Sequence, residues 1–222
     1  MYETIGKRVS PRCWDVHVLD VGTGLVGQSY CNIRSDEASC SVFMLESDDR
    51  DVRDNRILSH CDQVLGAQVG GSPWSTLRWM NARLHASGSD ASAKACFGIC
   101  TASGLVRIAF AGYPCAYVAE RSKHVRRLAG GGAPLGLFPD MQYPEKVCVL
   151  ERGDAVMFVN ESAEKLLEKR HVSALELFEA GRLGCAPVPV AIPQPATAIV
   201  VRRLDRAFRS FPARAHALAA MS

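Results

Sequence analysis

The 222-residue sequence has no run approaching the roughly 20 apolar residues that a membrane-spanning helix requires. Residues 1–8 also lack the apolar core of a signal peptide. None of the nine cysteines forms a Cys-x-x-Cys pair, Cys96 and Cys100 being the closest, which argues against a zinc site. Most of them sit inside apolar, strand-like runs, as free thiols do when they act as small buried hydrophobes. An odd number of such thiols points to a reducing compartment, the cytoplasm. The net charge of +3 is too small to argue for nucleic acid as a partner. There is no internal repeat and no low-complexity tract. The charge runs that do occur, Asp48-Asp49-Arg50-Asp51, Lys123-His124-Val125-Arg126-Arg127 and Arg202-Arg203, read as solvated faces.

What remains is ordinary globular composition, 48% hydrophobic and 22% charged, in a chain long enough for one large domain plus a tail. The spacing predicts strands over 14–20, 25–33 and 40–45, with a glycine turn at Gly22-Thr23-Gly24 and a polar turn at Arg34-Ser35-Asp36-Glu37. Two helices follow. The first covers residues 52–65. The second opens at Ser72-Pro73, where serine caps and proline takes the first helical position, and ends near Gly88. Its apolar face is read as Trp74, Leu77, Asn81 and Leu84. Strands are then expected over 95–101, 105–111, 115–119, 125–128, 147–150 and 155–159. Helices are expected over 162–167 and 172–180, with Gly181 as a stop, then a last strand over 197–204. This order is not the strand–helix alternation of a parallel sheet. It predicts an α+β fold with sheet packed on sheet and helices outside. Residues 1–204 form the domain and 205–222 a basic, alanine-rich helical tail.

The middle of the chain carries a linked set of motifs: Leu77-Arg78-Trp79-Met80-Asn81; Ala109-Phe110-Ala111-Gly112-Tyr113-Pro114; Gly132-Ala133-Pro134-Leu135-Gly136; and Leu150-Glu151-Arg152-Gly153-Asp154. Gly112 and Pro114 suit a tight turn, Gly132, Pro134 and Gly136 an irregular loop, and Gly153 a hairpin. In this order they resemble the SpoIIE-like branch of the PPM-type protein phosphatases. With looser matching the resemblance extends over residues 10–204. It implies an α-β-β-α sandwich of two mainly antiparallel sheets. It also implies catalysis by paired Mg²⁺ or Mn²⁺ ions, held by aspartates and a backbone carbonyl, on phosphoserine or phosphothreonine.

The resemblance weakens at the ligands themselves. In Val26-Gly27-Gln28-Ser29-Tyr30-Cys31-Asn32, Ser29 stands where the family has its first aspartate. In Leu45-Glu46-Ser47-Asp48-Asp49-Arg50-Asp51, Ser47 or Asp48 takes the second position, and the accompanying glycines are missing. The family's "Thr-Asp-Gly" is Val159-Asn160-Glu161, so Asn160 replaces the third aspartate. Its "Asp-Asp-x-Thr" is Gln194-Pro195-Ala196-Thr197, and its histidine is Tyr113. A second register, in which Asp20-Val21-Gly22-Thr23-Gly24 is the shortened glycine-rich motif, requires a helix immediately afterwards, where the sequence reads as strand. Asp154 belongs to a turn.

Two functions follow as expectations. One is a catalytically degenerate phosphatase-fold domain that needs no cofactor and works by binding. Its partner would be a phosphoprotein or signalling protein in a partner-switching pathway, such as an anti-sigma-factor antagonist. The other is a divergent phosphoserine/phosphothreonine phosphatase that holds Mn²⁺ or Mg²⁺ through Asp48, Asp49 and Glu161, with Glu46, Asp51 and Asp54 close in sequence.

Overall fold

The computed structural model describes residues 13–21, 29–35, 38–47, 63–65, 71–87, 92–113, 115–168, 173–183 and 196–204. Among these residues, ten strands form two antiparallel five-stranded sheets. The first has the order β1 (Trp14–Val21), β10 (Ala196–Arg203), β9 (Ala155–Val159), β6 (Cys115–Ala119), β7 (Val125–Ala129). The second has the order β2 (Ser29–Ser35), β3 (Ser39–Ser47), β4 (Ala93–Thr101), β5 (Leu105–Ala111), β8 (Lys146–Val149). Helix α1 (Pro73–Ala86) packs on the second sheet, and α2 (Glu161–Glu168) and α3 (Ala174–Leu183) pack on the first. The fold is an α-β-β-α sandwich.

Period-two alternation explains the layering, because successive side chains of a strand point to opposite faces. Along β3, Val42 and Met44 join the core between the sheets, with Trp14, Val16, Phe110, Val156, Phe158 and Ile199. Phe43 and Leu45 point the other way and pack with Leu77, Met80 and Leu84 of α1. On the outside of the first sheet, Met157, Val159 and Val200 meet Ala163, Leu177 and Phe178. The sheets approach closely at Gly98, where a Cβ would lie 2.5 Å from the Phe158 ring, so glycine makes room for that ring.

Helix α1 begins as its sequence predicts: Ser72 Oγ accepts from the Ser75 amide, and Pro73 stands in the first turn. Its buried stripe differs from the predicted one, running through Thr76, Leu77, Met80, Asn81 and Leu84, while Trp74 is 38% exposed. The true stripe follows the i, i+4 pair Thr76–Met80 together with Leu77–Asn81–Leu84, and Trp74 falls on its solvent side. Buried Asn81 is a tether. Its Nδ2 donates to the Phe138 and Pro139 carbonyls, and its Oδ1 accepts from the Gly136 amide, which pins the irregular loop to the helix.

Other sequence readings shift. Arg34 and Ser35 belong to β2 rather than to a turn, because they pair with Ser41 and Cys40 of β3. Gly181 lies inside α3 and does not stop it. The predicted helix over 52–65 is described only at residues 63–65, which are helical, with Val64 and Leu65 buried. Asp48, Asp49, Asp51, Asp54, Pro114, Gln194, Pro195, the turn at 22–24 and the tail 205–222 lie outside the described residues. No helix among the described residues is long and apolar enough to cross a bilayer.

Candidate functional site

The two sheets end together at one edge of the sandwich, and register decides which residues meet there. In the second sheet Ser29 pairs with Glu46, and Glu46 pairs with Lys94. Glu46 and Lys94 share the inward parity of Val42 and Met44. Ser47 pairs with Ala93. In the first sheet Asp20 pairs with Thr197 in the β1–β10 ladder. Beside that pair, the Asn160 amide at the end of β9 donates to the Thr197 carbonyl. The chain passes directly from β9 through Asn160 into α2.

Asn160 is fully buried and its Oδ1 is committed to the backbone. It accepts from the Ala163 amide at 2.9 Å and from the Thr197 amide at 3.0 Å. The first bond caps α2, since the amides of a helix's first turn have no intrahelical acceptor. The second ties β9 to β10. This explains why asparagine works where the resemblance expects aspartate: a neutral amide oxygen fulfils both acceptor roles.

Glu161, the first residue of α2, is held by two ammonium groups. Lys94 Nζ lies 2.5 Å from Oε2, and Lys165 Nζ, one turn along the helix, lies 2.6 Å from Oε1. Hydrogen bonds from Lys165 and then Lys94 hold the Glu161 carboxyl below the usual carboxylate range. The Glu161 amide donates to Glu46 Oε2 at 3.2 Å, so a buried carboxylate of the second sheet sits at the N-terminus of α2.

Tyr113, where the resemblance expects a histidine, is fully buried, and among the described residues its hydroxyl has no hydrogen-bond partner. Burial, reinforced chiefly by Glu46 and to a smaller degree by Glu161, raises the phenol well above its ordinary value. It cannot act as a base at neutral pH. Gly112, just before it, has φ +65°, and a Cβ there would meet Pro134 Cγ at 2.9 Å and Lys94 Cγ at 3.2 Å. Glycine therefore gives the lysine stem its seat, as well as the left-handed turn.

The described residues fit a divalent pair poorly. Mg²⁺ and Mn²⁺ need several carboxylate oxygens open to the ion. Both oxygens of Glu161 are engaged by ammonium groups, and Asn160 Oδ1 is engaged by amides. Among the described residues no three His, Cys, Asp or Glu side chains gather to hold a metal. Asp154 serves its turn: Oδ1 accepts from the Arg121 amide and Oδ2 from the Glu151 amide. The residue that sequence reasoning missed is Lys94. Its signal was a lone charge near the start of the otherwise apolar strand Ala93–Thr101.

The lysine clasp has a pH signature. A carboxyl whose folded-state pKa is depressed contributes stability above its unfolded value of about 4.3, and that contribution is lost as pH falls through the lower folded value. Acidification from pH 5 to pH 3 should therefore cost the wild type more stability than Glu161→Gln, as followed by urea midpoints. Equal losses would remove the clasp as a contributor.

Comparison with known proteins agrees with the architecture. A family model described as stage II sporulation protein E (SpoIIE) matches residues 58–160. No curated protein matches the chain. Among solved structures, the RsbU and RsbW domains of a Mycobacterium tuberculosis protein align with TM-score 0.71 at 18% identity, over 90% of this chain and 63% of that one. RsbX in complex with magnesium aligns with TM-score 0.66 at 9% identity, over 89% of this chain and 98% of that one. The PP2C phosphatase domain of Bacillus subtilis SpoIIE, solved with a fragment of its regulatory domain, aligns with TM-score 0.62 at 13% identity, over 86% of this chain and 64% of that one. The chain thus spans just under two thirds of the first and third of these structures. At such identities the likeness establishes the fold, a sandwich of two antiparallel sheets shared with these structures, and the SpoIIE model matches just under half of this chain.

Proposed function

We propose that this is a catalytically degenerate SpoIIE-like domain that acts by binding a partner protein in phospho-signalling of the partner-switching kind. The observation that carries the reading is the state of the third ligand position. Asn160 is neutral and bound to backbone amides, and the adjoining Glu161 is neutralised by Lys94 and Lys165. Paired-metal hydrolysis needs open anionic oxygens to fix two cations and lower the pKa of a water, and this edge of the sandwich offers ammonium groups instead. RsbX is solved with magnesium, and the family likeness implies the same chemistry; the described side chains here do not fit it. The partner chemistry follows the family's pathways: a phosphoprotein or an anti-sigma-factor antagonist, met in the cytoplasm.

A second reading is favoured by one contact. Glu46 Oε2 accepts from the Glu161 amide, so the carboxylate that ends β3 stands at α2, and Asp48 and Asp49 follow β3 directly in sequence. A divergent phosphatase would draw on Asp48, Asp49 and Glu161 for one Mn²⁺ or Mg²⁺. Titration calorimetry with MnCl₂, with phosphate release from a phosphoserine peptide measured on the same sample, separates the two. The binding-domain reading expects no heat of binding at millimolar metal and release equal to buffer. Micromolar binding with metal-dependent release would establish the phosphatase instead.

A further inference from the structure

We propose that β8, the strand at one edge of the second sheet, is a docking site for an extended segment of a partner protein, which joins the sheet as a further strand and alternates apolar with acidic residues. The inference goes beyond the function proposed for the domain. β8 shares no residue with the sandwich edge around Glu161, so the docking site stands whether or not that edge hydrolyses phosphate.

Backbone direction comes first. The Leu150 amide donates to the Gly104 carbonyl at 2.8 Å, one step past the ladder that pairs Val149 with Leu105 and Val147 with Arg107. Hydrogen-bonded and non-hydrogen-bonded pairs alternate along an antiparallel ladder. Lys146, Cys148 and Leu150 therefore turn their amides and carbonyls to β5. Val147 and Val149 turn theirs away from the sheet, where no further described strand follows. Such a row of open N–H and C=O groups is a template for another strand.

The side chains match that template. Cys148 faces the core between the sheets, so Val147 and Val149 point to the outer face, where they are 58% and 65% exposed. Bare edges are commonly protected by charge, proline or a covering loop; here both outer positions carry valine. Toward Glu145 the outer face runs into a hollow of about 380 Å³ lined by Trp74, Arg107 and Pro144. It can take an apolar side chain of the added strand.

Charge sets the intervening positions. On the inner side Lys146 is exposed, and Arg126 of β7 reaches across to the Cys148 thiol. Val118, the cross-strand partner of Arg126, belongs to the core between the sheets, so Arg126 faces inward too. Neither cation meets a carboxylate among the described residues. A segment seated on β8 turns every second side chain toward them, and carboxylates there complement both. A second copy of β8 fits less well, because it brings another Lys146 and Arg126 to the same seam.

The probe is a fluorescein-labelled heptapeptide alternating valine with glutamate, compared by anisotropy on the full chain with the same peptide carrying lysine in place of glutamate. The glutamate peptide should bind at least about tenfold more tightly, and added salt should weaken it. Val149→Pro removes an amide hydrogen that points away from β5, so the native ladder survives, and it should weaken binding at least about tenfold. Arg126→Gln should narrow the preference for glutamate. Val147→Thr combined with Val149→Thr, which keeps the β-branched shape, replaces the proline variant if that is insoluble. Equal binding of the two peptides, binding indifferent to the β8 variants, or no binding of the glutamate peptide at millimolar concentration overturns the proposal. Sedimentation of the free protein tests the other occupant: a concentration-dependent dimer that Val149→Pro abolishes gives the edge to a second copy and overturns the partner assignment as well.

Discussion

Glu164→Ala should lower the folding stability by about 3 kcal/mol, the low end of the cost of breaking a buried ion pair. In a domain of this size that is a fall in Tm of about 6–12 °C. Glu164 lies on α2 under the first sheet, and its carboxylate is 4% exposed. Four donor atoms converge on it. Arg127 Nε and Nη2 reach Oε1 at 3.0 and 2.8 Å, and the Tyr117 hydroxyl and Cys115 thiol reach Oε2 at 2.8 and 2.9 Å. The fork of Arg127 on one oxygen adds charge-assisted bonds. Burial, and then the carboxylate itself, push the Cys115 thiol up to about 12, so it stays protonated and donates. Truncation leaves Tyr117 and Cys115 without an acceptor and opens a void beneath α2. Arg127 is about half exposed and can turn to solvent, which keeps the cost at the low end of the range. Arg127→Ala strands the buried carboxylate and should be at least as damaging, and the double variant should lose clearly less than the sum of the singles. Urea unfolding of the three proteins decides it. A loss under about 1 kcal/mol for Glu164→Ala would mean that α2 is held by apolar packing alone.

Asn160→Ala should cost about 2–4 kcal/mol, combining a lost helix cap with a buried amide left unmet. Both amides served by Oδ1, those of Ala163 and Thr197, are buried, and Asn160 itself is fully enclosed. Water cannot take over without entering the sandwich edge. Asn160→Asp should lose less than Asn160→Ala, because a carboxylate oxygen accepts the same two bonds and favours a helix N-terminus. Chemical denaturation ranks the pair. If alanine and aspartate prove equally damaging, the acceptor geometry does not account for asparagine here. If alanine is harmless, the β9–β10 closure has another source.

These two residues show where sequence reasoning ends. Val159-Asn160-Glu161 is visible in the sequence, with an asparagine where the resemblance expects aspartate. Its role as cap and strand tie depends on Thr197, 37 positions away. Glu164 has no sequence signal at all: a glutamate in the first turn of a helix reads as an ordinary favourable charge. Only the packing of α2 on β10 and β9 buries it and brings it to Tyr117 of β6 and Arg127 of β7.

Local chemistry settled most of the architecture. Alternating apolar residues gave the strands, and Ser72-Pro73 gave the start of α1. Gly112, Gly132, Gly136 and Gly153 all adopt positive φ, between 65° and 92°, at the turns and loop where the motifs placed them. Such features are legible because a few bonded neighbours decide them. Helix phase was less so: Trp74 was read into the buried stripe because its spacing allows it, yet α1 turns a neighbouring stripe to the sheet. The electrostatics of the sandwich edge belonged wholly to tertiary structure. Glu46, Lys94, Tyr113 and Glu161 come from separate stretches of chain, and strand register and sheet-on-sheet packing alone bring them together. The sequence by itself determined the order of strands and turns; the packing of one sheet on the other decided that a lysine, seated beside Gly112, answers Glu161, because charges drawn into a sheet edge must be neutralised by whatever the fold places within reach.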